Sequence, residues 1–436
     1  MGKYQAYPEY KDSGVEWIGV IPSDWQMWKI SHASAYIGSG TTPKSDDEEK
    51  FYGGENLWVT TGELRESLIY ETSKRVTDEA LSSISALKLH PPGSVVIAMY
   101  GATIGRLGIL GTMATTNQAC CVMPPSKILY NKYLFYWLLA NRQEIINMSS
   151  GGGQPNVNQE KIASLKVSAP VFPEQQKIAA FLDHETAKID ALIEKQQQLI
   201  QLLKEKRQAV ISHAVTKGLN PNVPMKDSGI EWLGEVPAHW GVKRAKHVCS
   251  IFIPQRNKPD LNDEAGIAWI TMEDMRSSPI VSSENFVTCE SQERAGSRVL
   301  PKGAVIASCV GNFGVAAVTK IDTIINQQLQ AFLPHSINAE YLKSLISMST
   351  VYFELICTSS TIAYVNQQGF ENVPVIVPSP DEQEAICTFI ESIETTYHRL
   401  ISSAEELTRL MQERRTALIS AAVTGKIDVR DFVVPA

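Results

Sequence analysis

Residues able to do covalent chemistry are present in this 436-residue chain, but they are scattered. His32, His90, His184, His213, His239, His247, His335 and His398 form no HExxH pair, and no nucleophile elbow lies near them. Thr424-Gly425-Lys426-Ile427 has neither the spacing nor the hydroxyl of a GxxxxGK[ST] phosphate loop, so no nucleotide-driven motor is expected. Asn220-Pro221-Asn222-Val223 comes nearest to an Asn-Pro-Pro-aromatic amine-methylation motif and reads as a turn. Asp381, Glu382 and Glu384 after Pro380 could suggest a metal nuclease, but acids in a first helical turn are accounted for by the helix dipole. Seven cysteines without a CxxC pair fit a reducing compartment and argue against a disulfide framework or a zinc module, so no metal is expected. What remains is hydrogen-bonding chemistry. In the first half Thr41, Thr42 and Lys44 share a Gly/Pro-rich loop, Thr60, Thr61 and Arg65 follow an apolar run, and Tyr100, Thr103 and Arg106 surround Gly101 and Gly105. The second half carries Gln255-Arg256-Asn257-Lys258, Arg276, Arg294, Arg298 and Asn312.

The elements that must position these groups occur twice. Lys11-Asp12-Ser13-Gly14-Val15-Glu16-Trp17-Ile18-Gly19 returns as Lys226-Asp227-Ser228-Gly229-Ile230-Glu231-Trp232-Leu233-Gly234, at an offset of 215 residues. Each copy continues to a Pro and a Trp, Pro22 and Trp25 or Pro237 and Trp240, and these tryptophans read as core at the start of each half. Trp58-Val59-Thr60 pairs with Trp269-Ile270-Thr271, Asn117-Gln118 with Asn326-Gln327, and Val157-Asn158-Gln159 with Val365-Asn366-Gln367, the offset drifting to 208. Ordered landmarks with a small drift mean one architecture used twice, with insertions in loops. Short β-rich runs at 57–60, 94–99 and 108–110 and a helix at 132–141 predict a mixed α/β globule.

After Pro173 and Pro380 the period changes. Ile189, Leu192, Gln196, Leu199, Leu203 and Val210 step by threes and fours, as do Ile386, Phe389, Ile393, Leu400, Leu407, Leu410, Ala417 and Ala421. Two long amphipathic helices are expected, ending near Gly218 and Gly425. Glu174 to Lys217 would span about 65 Å, longer than such a globule is wide, so each seam is expected to find the other helix in an intramolecular antiparallel pair. Composition agrees with a folded chain of two to four domains: 44% of residues are hydrophobic and 20% charged. The N-terminus lacks an apolar targeting segment and no window is apolar enough to span a membrane, so a cytoplasmic protein is expected. A net charge of −7 means that any nucleic-acid binding rests on a local patch or a basic partner.

Taken together, the doubled Gly-Val-Glu-Trp-Ile-Gly and Gly-Ile-Glu-Trp-Leu-Gly segments, Gly40-Thr41-Thr42-Pro43, the repeated Asn-Gln, Gly153-Gln154-Pro155-Asn156-Val157-Asn158 and Pro173-Glu174-Gln175-Gln176-Lys177-Ile178-Ala179 resemble the specificity subunit of Type I restriction-modification systems. The repeated Glu-Gln helix start, Glu174-Gln175 and Glu382-Gln383, is typical of it, and the resemblance covers essentially the whole chain. It implies an α+β (mixed) fold: two duplicated α/β target-recognition domains separated by two long helices forming the antiparallel coiled coil. The boundaries read as 1–171 and 220–379 for the recognition domains, 172–219 for the first spacer helix, and 380–436 for the second helix and tail. The implied role is non-catalytic: each domain reads half of a bipartite duplex DNA target, while the helices set the spacer and dock two methyltransferase subunits. Restriction/translocase subunits complete the assembly. The chain would hold no cofactor, with S-adenosylmethionine, ATP and Mg carried by partners. The clusters above then become candidate DNA contacts, since Arg, Lys, Asn and Gln present donor–acceptor pairs to groove edges. Asn117, Gln118, Asn158, Asn326, Gln327 and Asn366 recur in both halves and are assigned to loop bracing or phosphate positioning. Ile253-Pro254-Gln255-Arg256 and Thr361-Ile362-Ala363-Tyr364 depart from the expected Gly-Thr-Thr-Pro and Gly-Gln-Pro-Asn. The competing readings are a coiled-coil interaction protein whose globules bind protein, and an enzyme with an unrecognised site.

Overall fold

The computed structural model describes residues 4–44, 48–149, 156–262, 264–276, 278–358 and 363–433. Gly153-Gln154-Pro155 and Thr361-Ile362 lie outside the described residues. The chain divides into two compact units, one built from 1–197 with 406–436 and the other from 198–405. Both long helices, Phe172–Lys217 and Pro380–Val423, therefore begin in one unit and end in the other.

In the first unit Cys120–Met123, Val95–Ala98 and Leu107–Leu110 form an antiparallel sheet, with Leu68–Ile69 added in parallel at the edge. Every residue of the three longer strands is buried, so they are read off the sequence as apolar runs rather than alternations. A second sheet sets Tyr52–Val59 between Arg75–Val76 and Ala114–Thr116, antiparallel to the former and parallel to the latter. The second unit repeats both sheets with Leu329–Pro334, Val305–Ser308 and Ala316–Val318, and with Ile267–Ile270 between Phe286–Val287 and Thr323–Ile325. The edges differ: Cys249–Phe252 is a full strand beside Leu329–Pro334, where the described residues of the first unit show the Gly38–Val122 bridge.

The repeated sequence landmarks fasten the helices. Gln175 accepts from the Tyr130 amide (2.8 Å) and donates to the Pro170 carbonyl (2.9 Å). Gln383 does the same with Asn338 (2.8 Å) and Pro378 (2.9 Å). Both glutamines are buried, and an unmatched buried amide would be costly, which explains the repeated Glu-Gln. The preceding acids are held differently. Glu174 accepts from the Tyr7 hydroxyl at 2.7 Å, and burial raises its pKa. Burial of Glu382 is outweighed by hydrogen bonds from His239, Trp240 and Ser379, which hold it at about 2.

Helix ends are fixed as symmetrically. Tyr133 donates to the Val423 carbonyl (3.2 Å) in the first unit, and Tyr341 to the Val215 carbonyl (3.0 Å) in the second. Gly218 and Gly425 have φ near +77° and +70°, the left-handed cap that stops a helix, and pack on Trp240 and Trp25 respectively. Trp25 and Trp240 are fully buried, whereas Trp17 and Trp232 are half-buried at the edges of their cores.

Each unit's core accepts parts of both long helices. Ile178, Phe181 and Leu182 join Ile419, Ala422 and Val423 in the first, and Ile211, Ala214 and Val215 join Ile386 and Ile390 in the second. Asp190 lies 2.8 Å from Arg415 within the first unit. The opposed running direction follows, but the sequence-assigned seam needs correcting. Leu192, Leu199, Leu400, Leu407, Leu410 and Ala417 are exposed. The inward stripe is half-buried Ile193, Gln196, Ile200, Leu203, Arg207 and Val210 on one helix, and buried Ile401 and Ala404 with half-buried Thr408, Met411 and Arg415 on the other, so Gln196, Leu203 and Val210 of the assigned seam do face inward. Leu192/Leu199 and Ile193/Ile200 both repeat at seven residues, so periodicity offers two adjacent stripes and only packing chooses between them.

Candidate nucleic-acid interface

Two parallel strands end side by side in each unit, and the candidate site grows from those ends. Val59 is in register with Thr116, and the Asn117 amide extends the ladder to the Val59 carbonyl (2.9 Å). Ile270 faces Ile325 in the second unit, and the Asn326 amide donates to the Ile270 carbonyl (3.1 Å). Thr60-Thr61 and Asn117-Gln118 are thereby neighbours, as are Thr271 and Asn326-Gln327. Both turns are braced identically. Thr60 donates its amide and hydroxyl to Glu63, the amide at 2.8 Å, and Thr271 does so to Asp274 at 2.8 and 2.9 Å. Burial would raise the Glu63 carboxyl, but hydrogen bonds from Ser73 and Thr60 win and hold it below its usual range.

A loop from earlier in the chain folds over these ends. Thr42 donates to Gln118 Oε1 (2.6 Å), Gly40 donates its amide to the Thr116 hydroxyl (3.1 Å), and Trp58 Nε1 donates to the Thr41 carbonyl (3.1 Å). A Cβ on Gly40 would lie 1.6 Å from the Thr116 carbonyl oxygen, so only glycine allows this approach. In the second unit Gln327 Nε2 donates to the Arg256 carbonyl. Gln255, Arg256, Asn257 and Lys258 there line an open cleft floored by Trp269 and Thr271. Thr42, Lys44 and all four residues of 255–258 are exposed, so their heads are available to a ligand.

The other candidates are not gathered here. Arg65 is exposed beyond the Thr60 turn, its Nε 3.4 Å from the Gly62 carbonyl. Tyr100 is half-buried in a bridge to Asn156, Thr103 closes the 3₁₀ turn Gly101–Thr103, and Arg106 is exposed. Gly105 packs against Arg142 and Ile146, which gives it a packing role. Arg294 pairs with Glu290 (2.8 Å) and Asp260 (3.2 Å), and Arg298 lies over the Phe252 ring at 5.1 Å. Asn312 sits exposed on a turn, and Arg276 lines a separate cleft. Asn158 and Asn366 are helix N-caps, accepting from Lys161 (2.9 Å) and Gly369 (3.0 Å) amides. Sequence reasoning passed over Trp58, Trp269, Glu63 and Asp274 as parts of the site. The signal was available, because the first two lie in a repeated segment and the acids follow its threonine at a fixed step of three.

Among the described residues no three His, Cys, Asp or Glu side chains gather as a metal site, and no helix is long and apolar enough to cross a membrane. The family model for the Type I restriction modification DNA specificity domain matches residues 22–202 and 237–406. The MjaVIII specificity subunit of Methanocaldococcus jannaschii is 23% identical over 425 residues, covering 94% of this chain and 95% of that protein. The MjaIX specificity subunit of the same organism is 29% identical over 189 residues, and that match spans only 42% of either protein. Two solved structures share the fold. One chain, from a type I R-M system, has a TM-score of 0.69 at 16% identity, covering 93% of this chain and 99% of that one. The HsdS subunit of Thermoanaerobacter tengcongensis has a TM-score of 0.54 at 15% identity, covering 93% and 98%.

Proposed function

We propose, because this chain belongs to the Type I restriction modification DNA specificity family, that each of its two units reads one half of a bipartite duplex DNA target for a multi-subunit methyltransferase. The observation that carries this reading is the common clasp with different tips. Gln118 and Gln327 hold the same loop in place, yet that loop presents Thr41, Thr42 and Lys44 in one unit and Gln255, Arg256 and Lys258 in the other. A fixed mount with interchangeable donors and acceptors is what two different half-sites require.

The chain itself is assigned no catalytic step. Methyl transfer, with S-adenosylmethionine, and any ATP- and Mg-dependent restriction belong in this proposal to partner subunits. The helices supply the docking surface. The exposed leucines Leu192, Leu199 and Leu202 on the first helix recur as Leu400, Leu407 and Leu410 on the second, each at an offset of 208 residues. Two copies of one apolar patch fit two copies of one methyltransferase subunit. A partner that clamps the duplex also adds to the few phosphate contacts that a chain of net charge −7 can make. The test is to map methylated adenines genome-wide in the host with and without this chain. A bipartite motif that disappears on deletion is expected, and an unchanged methylome would sink the proposal.

A further inference from the structure

Within the second unit a cleft lies between the globule and its segments of the two long helices, lined by Arg207, Arg276, Lys343 and His398 with one acid, Glu394. Lys343 is largely buried and lies 3.6 Å from Glu394. Among the described residues neither Arg207 nor Arg276 has a carboxylate within ion-pair distance, so the cleft carries surplus positive charge in an acidic chain. The first unit shows what the same place looks like when neutralised. At the 208-residue offset Arg207 corresponds to Arg415, His398 to Asp190 and Lys343 to Phe135. Arg415 and Asp190 form an ion pair at 2.8 Å, and Phe135 is buried in the apolar core. The second unit has therefore exchanged the acid for a histidine and the phenylalanine for a lysine, leaving the arginine without its partner.

We infer that this cleft binds a phosphate of duplex DNA just outside the half-site read by the second unit. Its position supports that occupant. Thr271 lines the candidate base-reading cleft, while Met275 and Arg276, at the other end of the same short turn, line this one. Ser347 adds a hydroxyl to the wall, while the Ser344 hydroxyl is donated to the Glu340 carbonyl (3.0 Å). A convergence of cations suits a phosphodiester, fixing register without reading sequence. The inference rests on the DNA-recognition reading above and goes beyond it by assigning Arg207 and His398, which neither motif nor repeat had placed at the DNA.

The test is His398→Asp, which rebuilds the ion pair of the first unit and neutralises Arg207, with Arg207→Gln as a second variant. The full chain, in the complex in which it purifies, is titrated with a target duplex and a scrambled duplex across a salt series by fluorescence anisotropy. Each variant should bind both duplexes about three- to tenfold more weakly than wild type, lower the log–log salt slope by about one, and leave the ratio between duplexes unchanged. Thermal unfolding at the wild-type temperature establishes that each variant is folded, and because His398 is exposed its replacement should pass. Wild-type slopes in both variants overturn the inference while leaving the DNA reading intact. If wild type binds neither duplex, both fall together. Protection of wild type alone by inorganic phosphate, with unchanged DNA slopes, assigns the cleft to a free anion and also overturns it.

Discussion

The four residues Gln255 to Lys258 combine two kinds of chemistry on one exposed loop. Arg256 can fork onto a guanine edge, and such bidentate readout contributes about 1–3 kcal/mol of discrimination. Arg256→Ala should therefore relax the methylated motif at one base, whereas Lys258→Ala should weaken all duplexes alike and reduce the salt slope. Methylome sequencing and salt titration separate the two, and an unchanged motif with unchanged affinity in both would remove the loop from the interface. Gly40 tests the mount rather than the tip. The obstruction to a Cβ is backbone, which no side-chain movement relieves, so Gly40→Ala should lift the loop and abolish recognition of the first half-site alone. Retained methylation at the intact motif would show that the loop tolerates the displacement. His90 gives the fold a pH dependence. It is 2% exposed, its Nδ1 meets the Tyr36 hydroxyl at 3.0 Å, and burial, then Lys88, push its pKa down to about 4. An unfolded chain holds its histidines near 6.5, so the unfolded state binds the extra proton between those values. The stability gained from a neutral His90 is complete above about pH 6.5 and is lost as pH falls through about 4, a change of up to about 3 kcal/mol. Urea unfolding of wild type and His90→Gln from pH 7.5 to 4 should show a shallower acid decline in the variant; parallel declines would clear His90.

Single elements explain how loops of such different chemistry sit on one scaffold. Paired parallel strands place the Thr and Asn-Gln turns together, and that placement depends on ladder register, not on the loop that is carried. The long helices have two faces. Their half-buried stripe supports each unit, while Leu192, Leu199 and Leu202 and their repeats remain exposed on the other. Burying a leucine stabilises a complex by about 1.5–3 kcal/mol, so a charge there should cost at least tenfold in affinity. Leu199→Glu is expected to lose one methyltransferase subunit, Leu407→Glu the other, and the double variant both. Native mass spectrometry of the purified complexes counts them, and full occupancy in the double variant would place the docking surface elsewhere.

Over the whole molecule, the duplication predicts modular readout. Replacing 30–170 by the matching segment of another family member should change one half of the methylated motif and keep the other. A swap that altered both halves would show that the units do not read independently. The helix start supports exchange, because Gln175 binds the replaced segment through backbone atoms that any sequence supplies, whereas the incoming segment must bring its own tyrosine at position 133 to hold the Val423 carbonyl.

The duplication and the two long helices follow from local sequence alone. The repeat fixes two copies of one architecture, proline and glycine bracket the helices, and apolar runs mark the buried strands, because each of these signals lies within a few residues of what it determines. The recurrence of Asn-Gln likewise announced a shared structural task. Which stripe of each helix is buried was a tertiary decision, since leucine and isoleucine stripes of equal period lie one residue apart. The same holds for the candidate site. Arg256 and Gln327 are 71 residues apart and Arg207 and His398 far more, and only the packing of sheets and helices decides that the first two meet in one cleft and the second two in another. Local propensity sets what each segment forms, whereas long-range proximity depends on the summed packing of segments that carry no mark of one another.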